Sequence, residues 1–448
     1  MAINPLGRDR AVDVVRLAAL VVVMYGHCAL LLATIDGGGV RIGNLIGEVP
    51  AVAPITWIVQ VMPLFFLAGG AAGAYGYHRG TPWDAWLFTR AQRLCRPVFW
   101  YLGAWSVGLL IVRLTLGAES AVALGRESVA LLWFLGVYLV TLAYVPALTR
   151  LRTGRAVASV LTCLIAAAAL MDVIRFAVDT PEAGIANFLI VWLIPVTVGV
   201  AYARRLIAAH VALAAMVSAL VTQVVLVGFG PYEVALVVTG TEQTSNVSPP
   251  TLILALQCTW MSCAFVLAAG AIRRYAERPR VWHVVAAGNR GAMRLYLWHI
   301  PAIAIAALAL HAAGLDAYQV HAADFWGLLA LRALVFSAVM MVLFWILAPL
   351  EHRRLPWWDA PAGATGSRAT AAGLLSCAAG VALVVMAKFG LSGAPGWAAL
   401  GCFIGLATAA RISVAANSGI SVTSADVDSA GDLAAAERHT TWDRGRLR

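Results

Sequence analysis

Apolar residues run along this chain in blocks rather than in alternation. Stretches of about 20 apolar residues, the length a helix needs to cross a bilayer, fall near 11–35, 51–76, 97–116, 128–148, 156–174, 185–203, 207–229, 251–272, 294–313 and 326–348. Two weaker ones follow near 370–390 and 395–411. The pattern predicts an all-α, polytopic transmembrane helical bundle: a ten-helix core over 1–358 and an added transmembrane hairpin over 359–412. The polar, Ala/Ser/Asp-rich stretch over 413–448 is expected to be a disordered cytoplasmic tail. The basic start MAINPLGRDR resembles the head of a signal peptide. The segment after it holds Asp13 and Arg16 and runs longer than a cleaved signal, so it reads as a retained helix.

Composition strengthens this picture. Of 448 residues, 61% are hydrophobic and 12% charged, against about 25% charged in soluble domains. The net charge is +10. Excess basic charge can signal nucleic acid, but here the arginines sit in short runs between apolar segments, which points to topology and a lipid bilayer. With the N-terminus cytoplasmic, the inner connections carry 20 cations, from Arg8 and Arg10 through Arg79, Arg90, Arg93 and Arg96 to Arg353, Arg354 and Arg368. The outer ones carry five: Arg41, Arg113, Arg126, Arg175 and Lys388. Positive charge prefers the cytoplasmic side, so both termini are expected inside, in a multi-pass protein of the cell membrane. Outer connections lean acidic, with Glu233, Glu242, Asp316 and Asp324. Seven cysteines, an odd number with no C-x-x-C, predict neither a disulfide framework nor a metal site. His311 and His321 lack ligand spacing.

Ionisable groups inside a span are candidates for function. The first helix has Asp13, Arg16 and His27. Asp13 and Arg16 are three residues apart and can pair on one face. Arg16 and His27 are eleven apart, about three turns, so they share a stripe and sit about 16 Å apart along the axis. Imidazole is the side chain best suited to move a proton near neutral pH. The structural alternative is that Asp13 and Arg16 reach the interface and His27 is a satisfied core histidine. Arg93 and Arg96, in RAQRLCRPV, would project together if that stretch is helical. Arginine suits phosphate, though lipid anchoring would also explain the pair. His299, in the inner half of the ninth span beside Tyr296, and Arg332, about six residues into the tenth, are further candidates for a substrate path.

These motifs together resemble the acyltransferase 3 family of membrane-bound O-acyltransferases, which includes O-acetylases of glycans. AVDVVRLAALVVVMYGH is similar to the family's first helix, with its Arg-x10-His pattern at Arg16 and His27. The family's Arg-x-x-Arg matches Arg93 and Arg96, and MPLFFLAGG echoes its second-helix stretch, with Ala68 or Gly69 where the family often has serine. LWFLGVYLV and RLYLWHIP resemble its fourth-helix start and its late Tyr-Leu-x-His-x-Pro motif.

The resemblance implies transfer of an acyl group, often acetyl, from cytoplasmic acyl-CoA to a hydroxyl of a carbohydrate or lipid-linked acceptor on the outer side, with no resident cofactor. Arg93 and Arg96 would then bind the CoA phosphates and His27 would act as general base or transient acyl carrier. Arg16, held by Asp13, would contact the donor or support a polar path. The depth of His27 predicts a cavity open to the cytoplasm and narrowing toward it. The competing expectation is a secondary transporter or exporter whose proton path runs through Asp13, Arg16, His27 and Arg332.

Overall fold

A computed structural model of the chain describes residues 9–36, 39–78, 80–178, 180–240 and 244–415. Arg8, Arg79, Glu242 and the expected tail beyond residue 415 lie outside the described residues. Among the described residues, twelve helical segments are long and apolar enough to span a membrane, so the chain is an all-α polytopic bundle.

Helix α1 covers Arg10–Leu30 and is capped by the Asp9 carboxylate, which accepts from the Ala11 N–H. It is shorter than its apolar run. Leu31–Asp36 (β1) leaves the helix and pairs antiparallel with Gly39–Asn44 (β2). The second span begins with a 3-10 turn at Pro50–Ile55 and continues as α2, Met62–Tyr75. The third, α3, runs over Trp83–Thr115 with Pro97 in its middle rather than at its start. Residues 83–96 are thus the first turns of the helix and not a loop. Gly117, at φ +86°, turns the chain directly into the fourth span, made of α4 (Gly117–Ala130) and α5 (Leu132–Leu142). That connection is too short to leave an outer loop, so Arg126 lies on α4. The spans α6 (Gly154–Ala177), α7 (Asn187–Ala203), α8 (Ala209–Phe229) and α9 (Leu252–Tyr275) follow. A short amphipathic helix, α10 (Pro279–Arg290), leads into α11 (Ala292–Ala312) and α12 (Phe325–Ile346). Last come α13 (Ser367–Phe389) and α14 (Ala394–Ser413).

In lipid there is no hydrophobic force between helices, so close packing and polar ties hold the bundle. Small residues supply the packing. Gly70 abuts the Val196 backbone and Gly199 the Leu67 carbonyl, which brings α2 against α7. Gly136 meets the Gly380 carbonyl, which draws α13 onto α5. Aromatic rings fill the centre: Phe66 stacks on Trp192 at 4.5 Å and meets Phe134 edge-on at 5.1 Å.

Polar ties close both ends. At the end where α1 begins, the Asp9 carboxylate accepts from Arg273 at 2.9 Å and from the hydroxyls of Tyr202 and Tyr75 at 2.8 and 3.3 Å. Burial pushes this carboxyl up, but the Arg273 and Tyr202 donors and the Ala11 N–H outweigh burial and hold it below its ordinary value. At the opposite end, buried Asp172 on α6 accepts from Asn187 at 3.2 Å, from Tyr232 at 3.0 Å and from the Leu252 N–H at 2.7 Å. The described residues of the connection after α8, 230–240 and 244–251, are pinned further by Trp57 to the Val234 carbonyl and Asn246 to the Glu233 carbonyl.

Candidate active site

Three elements meet around α1. Near its start, Arg16 donates from Nε to Asn289 Oδ1 at 2.7 Å, and its guanidinium lies 3.7 Å from the Asp13 carboxylate. Asn289 in turn donates to the Asp13 carbonyl at 2.8 Å and the Val285 carbonyl at 2.9 Å. Arg16 thus lies within ion-pair distance of Asp13 and is hydrogen-bonded to Asn289 on α10, which completes the clasp. Sequence reasoning passes over Asn289, which lies in a connection that reads as a basic loop. The signal available is the amphipathic spacing of Pro279–Arg290.

Three turns further along, His27 Nδ1 lies 2.9 Å from His299 Nε2. The rings are nearly parallel, with centroids 5.1 Å apart. The sequence puts His299 in the inner half of its span and His27 about 16 Å along the first helix from Arg16, yet the two touch. The reason is register: α10 packs beside the first turns of α1, where Asn289 holds Arg16 and the Asp13 carbonyl, and α11 follows it at once. The second segment therefore meets α1 in the same order, Asn289 at Arg16 and His299 at His27.

The direction of the hydrogen bonds follows from chemistry. His299 Nδ1 lies 2.6 Å from the Tyr296 carbonyl, which can only accept, so Nδ1 carries the proton. Neutral His299 then has its lone pair on Nε2, and His27 must donate to it from Nδ1. That leaves the lone pair of His27 on its own Nε2. His299 is fully buried, whereas His27 is partly exposed. The Tyr296 hydroxyl donates to the Leu131 carbonyl and fixes the helix that carries His299.

Arg332 on α12 is 2% exposed and donates to the Cys28 carbonyl at 2.6 Å. The last carbonyls of a helix have no partners within it, and a cation is favoured there. Arg332 therefore fastens the turn of α1 that bears His27. Beyond the helix, Asp316 accepts from Thr34 at 2.8 Å and His311 at 2.7 Å, tying β1 to the end of α11.

Arg93 and Arg96 share one helix, but their settings differ. Arg93 is exposed, while Arg96 lies 3.5 Å from the Asp359 carboxylate. Asp359 belongs to the segment entering α13 and is invisible to a motif search. Arg90 packs its guanidinium 3.7 Å over the Trp86 ring. Two cavities flank Trp100 on either side of α3, one of about 370 Å³ and one of about 20 Å³. His27 lines neither, so the expected passage from the arginine-rich end to His27 does not correspond to either cavity.

The acyltransferase 3 family model, an acyltransferase domain, matches residues 9–349. No curated protein and no solved structure matches the chain. The match begins at the cap of α1 and takes in both histidines, the Arg16–Asn289 clasp and Arg332, and it decides between the transferase and transporter readings. The chain belongs to the acyltransferase 3 family and is a multi-pass membrane O-acyltransferase.

Proposed function

We propose that the protein moves an acyl group, in the first instance acetyl, from acyl-CoA on its arginine-rich, cytoplasmic face to a hydroxyl of a glycan or lipid-linked acceptor arriving from the other side. The observation that carries this reading is the directional pair His27–His299, which leaves His27 Nε2 as an unprotonated base at a partly exposed position.

An acceptor hydroxyl holds its proton tightly at neutral pH, so attack needs a base. His27 Nε2 takes that proton as the acceptor oxygen bonds to the thioester carbonyl carbon. The C–S bond then breaks, and the proton passes from His27 to the departing CoA sulfur. The ester and free CoA leave, and His27 returns to its starting state. His299 Nε2 accepts the hydrogen bond from His27 Nδ1–H throughout without taking the proton, as the carboxylate does in a hydrolase triad. Arg93 and Arg96 are proposed to meet the CoA phosphates, with Arg96 exchanging Asp359 for phosphate. Arg16, Tyr296 and Arg332 line or brace the route.

The test supplies purified protein with labelled acetyl-CoA and candidate acceptors, alongside His27→Ala. The expected result is loss of transfer and of CoA release by the variant, with CoA binding retained. Transfer that persists in the variant would remove His27 from its role. Failure of folded wild-type protein to bind CoA would remove the donor.

A further inference from the structure

The larger cavity lies outside the site described above, in the seam between α3 and α14. Its walls include Phe99, Trp100, Gly103, Trp357, Leu400 and Ile404. It opens sideways toward lipid: Gly103 is exposed, Trp357 is 48% exposed and Ile404 46%. A side chain added at Gly103 would meet open space.

The two ends of this groove differ in chemistry. Toward the interior of the membrane it is hydrocarbon. Toward the arginine-rich end stand Arg353 and Arg354, both exposed and with no acidic partner among the described residues; Arg353 lies 6.0 Å over the Trp100 ring. Arg411, 8% exposed, donates from Nε to the Trp357 carbonyl at 2.8 Å, and its Nη1 is buried with no acceptor. Between the two ends, the indole N–H of Trp100 is also buried with no acceptor. Three features thus meet beside α3: a cation cluster and an unused N–H donor at the level of Trp100, and an apolar trough leading away from them. From Trp100, against which Arg353 lies, to Ser106, which lines the far end, is six residues or about 9 Å, which fits within the ~15 Å of hydrocarbon in one leaflet.

From this order we propose that the groove is a binding site for one anionic phospholipid of the adjoining leaflet. Its phosphate and acidic headgroup sit among Arg353, Arg354 and Arg411, an ester carbonyl accepts from Trp100, and one acyl chain fills the trough to Ser106. Basic pockets between membrane helices recognise anionic headgroups in this way. Because α14 lies beyond the matched residues 9–349, the lipid joins the C-terminal hairpin to the family core.

The full chain is purified in mild detergent and melted with added phosphatidylglycerol or phosphatidylcholine. Phosphatidylglycerol is expected to raise the melting temperature by several degrees more than phosphatidylcholine. The double variant Arg353→Gln/Arg354→Gln, altered only at exposed positions, is expected to lose that difference. Gly103→Leu, which fills the trough, is expected to lose the response to either lipid. Equal stabilisation by both lipids in the wild type, or an unchanged preference in the double variant, would overturn the proposal. So would displacement of bound phosphatidylglycerol by long-chain acyl-CoA, which would assign the groove to the donor.

Discussion

His27 and His299 are joined by a hydrogen bond whose direction is set from the far side by the Tyr296 carbonyl. Removing His299 therefore changes which nitrogen of His27 carries the proton. His299→Ala is expected to lower kcat by about 10²-fold or more, as expected when a base loses its tautomer, with KM for the donor little changed. His299→Gln, whose amide oxygen can accept from His27 Nδ1, is expected to recover part of the rate. Steady-state kinetics on the three proteins check this. Equal rates for the Ala and Gln variants would leave His299 a purely structural role.

Asn289 makes three hydrogen bonds, to the Arg16 side chain and to two backbone carbonyls. Asn289→Ala frees Arg16 and leaves a nearly buried helix junction without its donors. The expected loss of stability is about 1–3 kcal/mol, read by thermal melting. Activity should fall with it if Arg16 serves the donor.

Arg332→Met separates stability from function. The buried guanidinium costs desolvation free energy, which disappears with it, so the melting temperature is expected to change little. The last turn of α1 loses its fastening at the Cys28 carbonyl, and kcat is expected to fall about tenfold, since small misplacements of a reacting group are costly. Unchanged kinetics would show that this contact does not position His27.

Asp9 gives a pH dependence whose sign is fixed. Its carboxyl is held below the ordinary 3.8 by Arg273, Tyr202 and the Ala11 N–H, against the upward push of burial. A depressed native value means that the unfolded chain binds the proton more readily, so the stabilisation is whole above about pH 4 and is lost as pH falls through the native value. Asp9→Asn should lower stability at neutral pH and flatten the acid limb. Melting curves from pH 3 to 7 on both proteins measure this.

The absence of serine from the second-helix motif has a steric cause at Gly69. A Cβ there would fall on the Tyr138 ring. Gly69→Ser is expected to destabilise by about 1–3 kcal/mol through overpacking, and Tyr138→Leu in the same chain should restore part of it. Thermal melts of the single and double variants check the coupling.

Much of this was legible from the chain. Runs of apolar residues mark all twelve spans, because length in lipid is a one-dimensional requirement. The arginine runs mark one face, and Arg16, His27 and His299 stand out as ionisable groups within apolar stretches. What escaped depends on register between distant segments. Asn289 and Asp359 become partners of Arg16 and Arg96 only when residues more than 250 positions apart are brought together. The hairpin of β1 and β2 is hidden because LLATI reads equally well as helix or strand. Asp172 was available to the rule that flags acids within spans, and its partners show it to be a staple for the loop after α8.

The first span with the strand β1 that follows it and the Pro279–Ala312 segment are tied at three levels: Arg16 to Asn289, His27 to His299, and Thr34 of β1 through Asp316 to His311. Two beams cross-braced at both ends and near one end cannot shear past one another. Arg332 and Ser337 tie α12 to the same frame through the Cys28 carbonyl and the Tyr25 hydroxyl, so any breathing that admits a sugar or a pantetheine arm is expected on the side of α3, while the frame keeps the two imidazoles aligned.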